Sequence, residues 1–126
     1  MTRALAFTVP PFGLEPHTDF ALDAIEGAVG LFRLTAAENP DLRLFVLAAA
    51  IHLPDYSPQV PPAQLAEIGL GEAETPEVFV VVTPASGAST VNLLAPIVVD
   101  ARTGRCQQVI LADSTLSLRE PLGVHA

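Results

Sequence analysis

The sequence contains few residues whose types and spacing could support catalysis. A serine hydrolase needs a nucleophilic serine, a histidine base and an acid that orients the base. Candidates for these three roles are His17, His52, Asp55, Ser86 and Ser114. None of the serines stands in the Gly-x-Ser-x-Gly turn that exposes the nucleophile of α/β-hydrolases. We therefore expect no enzyme activity and keep, as an alternative, a small hydrolase that would use Ser114, His52 and Asp55.

The histidines and the cysteine do not form a metal-binding pattern. His52 and Asp55 are three residues apart, but Pro54 lies between them and disfavours a helical turn that would place both on one face. Cys106 is the only cysteine, which excludes a disulfide within the chain and fits a reducing compartment. The turn at Gly87 lacks the Lys and Ser/Thr of a phosphate-binding loop. We expect neither a metal ion nor a cofactor.

The charge of the chain is strongly acidic. It has 6 basic residues, all arginine, against 14 acidic residues, and a formal net charge of -8. Between Arg43 and Arg102 there is no arginine, although this stretch holds several acids. Such a surface repels phosphate backbones, so direct binding of DNA or RNA is not expected. It would attract a basic protein, or it could serve only to keep an apolar domain soluble.

The composition predicts a folded protein without a membrane segment. Half of the residues are hydrophobic and the mean hydropathy is +0.45, whereas no apolar stretch reaches the roughly 20 residues of a membrane helix. The N-terminus carries one charge and is interrupted at Pro10 and Pro11, which does not resemble a signal peptide. We expect a cytoplasmic protein in which residues 1–126 form a single domain.

The elements that would position any site are mostly strands. Apolar residues at strand spacing predict strands near residues 4–9, 20–25, 31–34, 42–47 and 78–82, and a hairpin of 90–100 with 106–111 through Thr103 and Gly104. One short helix is predicted, because Pro62 suits a first helical position and Gly69 suits the end. The fold class is therefore all-β: a small antiparallel, β-barrel-like domain with one short helix.

Two strands are apolar at nearly every position, namely residues 78–82 and 97–99. Such runs are typical of core strands covered on both faces, or they could form an exposed apolar patch. If one sheet edge is open, it could also take an extended or helical segment of a partner.

Motifs along the chain resemble the FliW family of flagellar assembly factors. Asn-Leu-Leu-Ala-Pro-Ile at residues 92–97, followed by Val-Val-Asp, is similar to the family signature Asn-Leu-x-Ala-Pro-Ile. Further matches, in the same order as in the family, are the Pro-Asp-Tyr of residues 54–56, the strand 107–114, the Arg-Glu-Pro-Leu of 119–122 and the segment 7–14. The sequence departs from the family pattern at Pro10, Phe12 and Leu116.

The resemblance implies a small β-barrel-like fold and a non-enzymatic role. Members of the family bind newly made flagellin in the cytoplasm as a chaperone. They also bind CsrA, an RNA-binding translational repressor, and so couple flagellin synthesis to export. The expected partners are thus flagellin and, if the organism has it, CsrA. A flagellin-only chaperone without a CsrA role is the alternative within the family.

Candidate contact residues come from the motifs and from the acidic stretch. Asp55 and Tyr56 could form a contact at an exposed loop, or Tyr56 could anchor that loop to the barrel. Asn92 could bond a partner or an internal amide, while Ala95 and Pro96 could leave an edge unpaired or shape a bend. The acids proposed for CsrA are Glu67, Glu72, Glu74 and Glu77.

Overall fold

The structure, a computed structural model, describes residues 2–56, 58–71, 74–83, 89–112, 116 and 119–121. These residues form eight strands and two short helices. The strands are β1 (Thr2–Phe7), β2 (Asp19–Ala24), β3 (Leu31–Ala36), β4 (Arg43–Ala48), β5 (Glu77–Thr83), β6 (Thr90–Val99), β7 (Arg105–Gln108) and β8 (Glu120–Pro121). The helices are α1 (Ala49–His52) and α2 (Pro62–Glu67).

Seven of the strands close into a barrel. Each strand from β1 to β7 pairs antiparallel with the next, and the barrel closes where β7 pairs parallel with β1 through Ala6–Arg105 and Phe7–Cys106. The two-residue strand β8 adds to the beginning of β6. The expected all-β barrel is confirmed. The closing pair is parallel rather than antiparallel, and α1 is a second short helix that the sequence pattern did not indicate.

Alternate side chains of the strands fill the barrel. Burial alternates along β1, where Leu5 and Phe7 point inward between exposed neighbours. Phe7 packs edge-to-face on Phe20 with ring centroids 5.2 Å apart, a favourable geometry for aromatic rings. Cys106 is fully buried in the same core, and this burial raises the pKa of its thiol to about 12. The only thiol of the chain is thus a packing group.

The apolar strands β5 and β6 are covered on both faces. Phe79, Ile97 and Val99 point into the barrel, whereas Val98 packs outside it with Ile68 of the segment after α2. A second outer cluster places Val80, Val82, Val91 and Leu47 beneath Leu53 and Tyr56. The prediction that these apolar runs are core strands with both faces covered is confirmed.

Local signals set the end of α2 and the β6–β7 hairpin. Pro62 begins α2, and Gly69 follows the helix with a φ of 93°, a conformation that favours glycine. In the hairpin, the side chain of Asp100 is 2% exposed and accepts the Arg102 backbone N–H at 2.9 Å. That bond, together with the nearby Arg102 guanidinium, holds the pKa of the Asp100 carboxyl below its ordinary value. Both predicted features are confirmed.

Gly104 lies where the hairpin meets β1. Its φ is +82°, and a Cβ placed on it would lie 2.4 Å from the carbonyl oxygen of Ala4. Its own carbonyl accepts the Ala6 N–H at 2.9 Å. Only glycine allows this close approach of two backbones, so Gly104 sits directly at the closing pair of the barrel.

We predict that Gly104→Ala lowers the free energy of unfolding by about 2–5 kcal/mol, because it adds both an unfavourable φ and a backbone clash. Gly27→Ala is the matched control: φ is +83° there, but nothing lies within 4 Å of the added Cβ. It should cost only about 1–2 kcal/mol. Urea unfolding of the two variants would measure both costs. Equal losses of unfolding free energy would show that the close contact of Gly104 with Ala4 adds nothing to the cost of the substitution.

Candidate functional site

The signature segment of β6 forms a bend. Phe79 of β5 pairs with Ile97, and Val81 pairs with Asn92, so residues 93–96 of β6 stand opposite Val80 alone. Extra residues on one strand bend it and increase its twist. Within the bend, the carbonyls of Leu94 and Pro96 accept N–H groups from residues 111 and 109, at 2.8 and 2.9 Å. The bend therefore bonds to the segment after β7, whereas β6 pairs with β5 on both sides of the bend.

Asn92 holds the bend from within. Its Oδ1 accepts the N–H of Leu94 at 3.0 Å and the N–H of Ala95 at 3.2 Å. Ala95 is 5% exposed and Pro96 is also buried. The amide thus satisfies two backbone donors that the widened register leaves without a partner on β5. A role of these three residues in partner contact stays a prediction, since their bonds and burial describe only the barrel.

Tyr56 reaches the same bend from the segment that follows α1. The chain turns there through bonds from Leu53 N–H to the Ala49 carbonyl at 2.7 Å and from Tyr56 N–H to the Leu53 carbonyl at 2.9 Å. The Tyr56 hydroxyl donates to the carbonyl of Leu93 in the bend. Partial burial raises the pKa of Tyr56 to about 12. The loop is therefore tied to β6, while one side of the ring stays open to solvent.

Gln108 completes the set of groups around the bend. Its Nε2 donates to the Ala95 carbonyl at 3.1 Å, and its Oε1 accepts the Phe12 N–H at 3.0 Å. Gln108 lies in the motif of residues 107–114 but is not among the contact residues predicted from the sequence. Its position within that motif was the one feature of the sequence that could have identified it. Residues from four separate motifs thus meet at one bend.

Surface hollows surround the ring of Tyr56. One of about 600 Å³ is lined by His52, Leu53, Pro54, Asp55, Tyr56, Leu93 and Glu120. A second, of about 450 Å³, is lined by Asp55, Tyr56, Pro58, Gln59, Leu111, Ala112 and Leu116. Both are mainly apolar, with carboxylates at the rim. Concave apolar surface with few polar groups is typical of binding sites.

Two of the four acids proposed from the sequence, Glu74 and Glu77, are paired with arginines. Glu77 makes two bonds to the Arg3 guanidinium, at 2.9 and 3.0 Å, and Glu74 lies 3.4 Å from the guanidinium of Arg102. Glu67 makes no ion pair in the described part of the chain. Glu72 lies outside the described residues. The arginines come from β1 and the β6–β7 turn, which sequence position alone does not place beside these acids.

The residues considered for catalysis are not assembled into a triad within the described ranges. The ring of His52 is bonded through Nε2 to the carbonyl of Val29 at 2.6 Å. Ser86 and Ser114 lie outside the described residues, so the hydrolase alternative has no described nucleophile. In the ranges that the structure describes, no three His, Cys, Asp or Glu side chains are grouped to hold a metal ion. No helix there is long and apolar enough to cross a membrane.

The bent strand, the closed sheet and the hollows around Tyr56 belong to a small, closed, mixed β-barrel. The chain belongs to the FliW family, because the family model described as "FliW protein" matches residues 2–122. That match spans almost the whole sequence and includes all the motifs described above.

Individual relatives agree with this assignment. The protein named flagellar assembly factor FliW from Symbiobacterium thermophilum is 26% identical over 97% of this chain and 91% of its own length. The protein of the same name from Thermotoga neapolitana is 31% identical over 87% of this chain and 76% of its own length. A crystal structure titled as the flagellar assembly factor FliW has a TM-score of 0.84 at 22% identity and covers 95% of this chain, which shows the shared fold.

We predict that Asn92→Ala lowers the free energy of unfolding by about 1–3 kcal/mol, because the N–H groups of Leu94 and Ala95 lose their acceptor. Asn39→Ala is the matched control, since Asn39 accepts one bond in an exposed turn, from Asp41 at 3.2 Å. It should cost about 0.5 kcal/mol or less. Denaturant unfolding monitored by circular dichroism compares the two. Similar values would argue against Asn92 as the group that holds the bend.

We also predict that Tyr56 titrates at about pH 12 in the folded protein. Because burial disfavours the phenolate, the folded chain holds this proton more tightly than the unfolded chain. The stability from Tyr56 is therefore complete below the ordinary value of 10.0 and is lost as the pH rises from there toward 12.

Tyr56 is the only tyrosine, so phenolate absorbance reports it alone. The urea-unfolded chain is the control and should titrate near 10.0. A folded protein with the same midpoint would mean that the ring is not buried against Leu93.

Proposed function

We propose that this chain is a flagellar assembly factor that binds flagellin in the cytoplasm as a chaperone and antagonises CsrA. The observation that carries the proposal is membership of the FliW family over residues 2–122, with relatives that are named flagellar assembly factors. Binding rather than catalysis is also consistent with the barrel, whose motif residues bond one another around the bend of β6.

The surface of the protein supports both partners on physical grounds. A net charge of -8 attracts a basic RNA-binding protein such as CsrA, and opposite potentials raise the rate and specificity of encounter. The apolar hollows beside Asp55 and Tyr56 suit the apolar face of an amphipathic helix, which is one of the common ways in which proteins bind peptide segments. Neither contact needs a cofactor.

A flagellin-only chaperone is the second candidate. It is favoured by the ion pairs of Glu74 with Arg102 and of Glu77 with Arg3, which lower the free negative charge of the stretch proposed for CsrA. In this candidate, the apolar hollows bind flagellin and the remaining acids only keep the protein soluble.

We predict that calorimetric titration detects saturable binding to flagellin from the same organism, and binding to CsrA that weakens severalfold from low to moderate salt. Salt screens contacts between exposed charges more strongly than apolar contacts, so the two partners should differ in this dependence. Protection of flagellin from limited proteolysis by an equimolar amount of this protein is the accompanying measurement.

Binding to flagellin with none to CsrA would support the flagellin-only candidate. No binding to either folded partner would contradict the proposed function. A control titration of CsrA uses bovine albumin, another acidic protein, in place of this chain. It measures how much of the binding to CsrA comes from net negative charge alone.

A further inference from the structure

We propose that the hollow between Tyr56 and Glu120 receives a basic side chain from an amphipathic segment of a partner protein, while apolar residues of that segment lie along the neighbouring hollow. We name the two hollows together the Tyr56 groove, lined by Asp55, Tyr56, Pro58, Leu93, Leu111, Leu116 and Glu120. This inference rests on the proposed function and names its contact surface.

The shape of the Tyr56 groove fits side chains better than an added strand. The seven barrel strands pair in a closed ring, so none of them offers a free edge to a partner strand. Among the described residues, the only free strand edge is that of the two-residue β8, which ends in Pro121 and has no N–H to donate there. The groove instead has two adjacent hollows of about 600 and 450 Å³, which meet at Tyr56 and Asp55. Side chains spaced along a helical segment can fill two such hollows.

The charges at the Tyr56 groove differ from those elsewhere on the acidic surface. Asp55 and Glu120 are exposed at the rim of the larger hollow and form no ion pair in the described ranges, and no arginine lines that hollow. Glu74 and Glu77, by contrast, already face Arg102 and Arg3. A cation from a partner would therefore find uncompensated carboxylates at Asp55 and Glu120.

The floor of the larger hollow is suited to the stem of a long basic side chain. Leu53, Pro54 and Leu93 line it together with the open side of the Tyr56 ring. Lys and Arg pack their methylene stems on such apolar surface while the charged head stays near solvent and carboxylates. An aromatic ring also attracts a cation above its face. These features together select a basic and apolar segment over an acidic one.

A synthetic amphipathic helical peptide provides the test, with leucines on one face, lysine and arginine beside them, and no aromatic residue. The full chain has one tyrosine and no tryptophan, so its intrinsic emission comes from Tyr56. We expect a saturable change in tyrosine emission on titration with this peptide. A peptide with glutamate in place of the basic residues should produce no change.

The paired variant Asp55→Asn with Glu120→Gln should weaken binding of the basic peptide about tenfold, because two exposed charge pairs are lost. The matched control is Glu38→Gln with Asp41→Asn, which removes the same charge from exposed residues of the β3–β4 turn. Calorimetry would give the affinities, and circular dichroism would establish that each variant is folded.

The proposal is overturned if the peptide does not bind, if it binds without changing Tyr56 emission, or if both paired variants weaken it equally. Titration of the same variants with flagellin and CsrA separates this inference from the proposed function. If the Asp55/Glu120 variant binds a partner as tightly as the unmodified chain does, the Tyr56 groove is not the contact surface, but the proposed function still stands. Failure of the unmodified chain to bind either partner would contradict the function itself.

Discussion

Closure of the sheet imposes the strictest geometric requirement on this chain. A barrel loses its free edges only when its first and last strands meet, and here β1 meets β7 in parallel. Gly104 lets the hairpin approach the Ala4 carbonyl, and the bend after Asn92 interrupts the pairing of β6 with β5 for residues 93–96. The outer clusters and the Tyr56 groove lie beside that bend, so the geometry that closes the barrel also shapes its binding surface.

Features with a local cause could be predicted from the sequence. Pro62 and Gly69 mark α2, and Thr103 with Gly104 marks the hairpin, because turn and helix-end residues act over a few positions. The parallel closing pair could not be predicted, since no local pattern links Phe7 to Cys106. The helix α1 was missed because its alanines continue the apolar run of β4 without a capping residue.

The motif residues meet at one bend of the barrel, but the bonds that each of them makes could be found only from the structure. Asn92, Tyr56 and Gln108 are far apart in sequence, and only the fold shows that all three bond the same bend. The charge of the acidic stretch was harder to predict. Glu77 is paired with Arg3 of β1 and Glu74 with Arg102 of the β6–β7 turn, so counting charges along the chain overstated the free negative charge around Glu77.

The pairing of Ala6 with Arg105 has a consequence for synthesis of the protein. A ribosome makes β7 only after β1, five further strands and two helices have been made. Contacts between residues so distant in sequence carry a large loop-closure entropy and form slowly. The nascent chain therefore keeps the apolar interior of the barrel accessible until β7 has been made, and apolar surface exposed in this way favours aggregation.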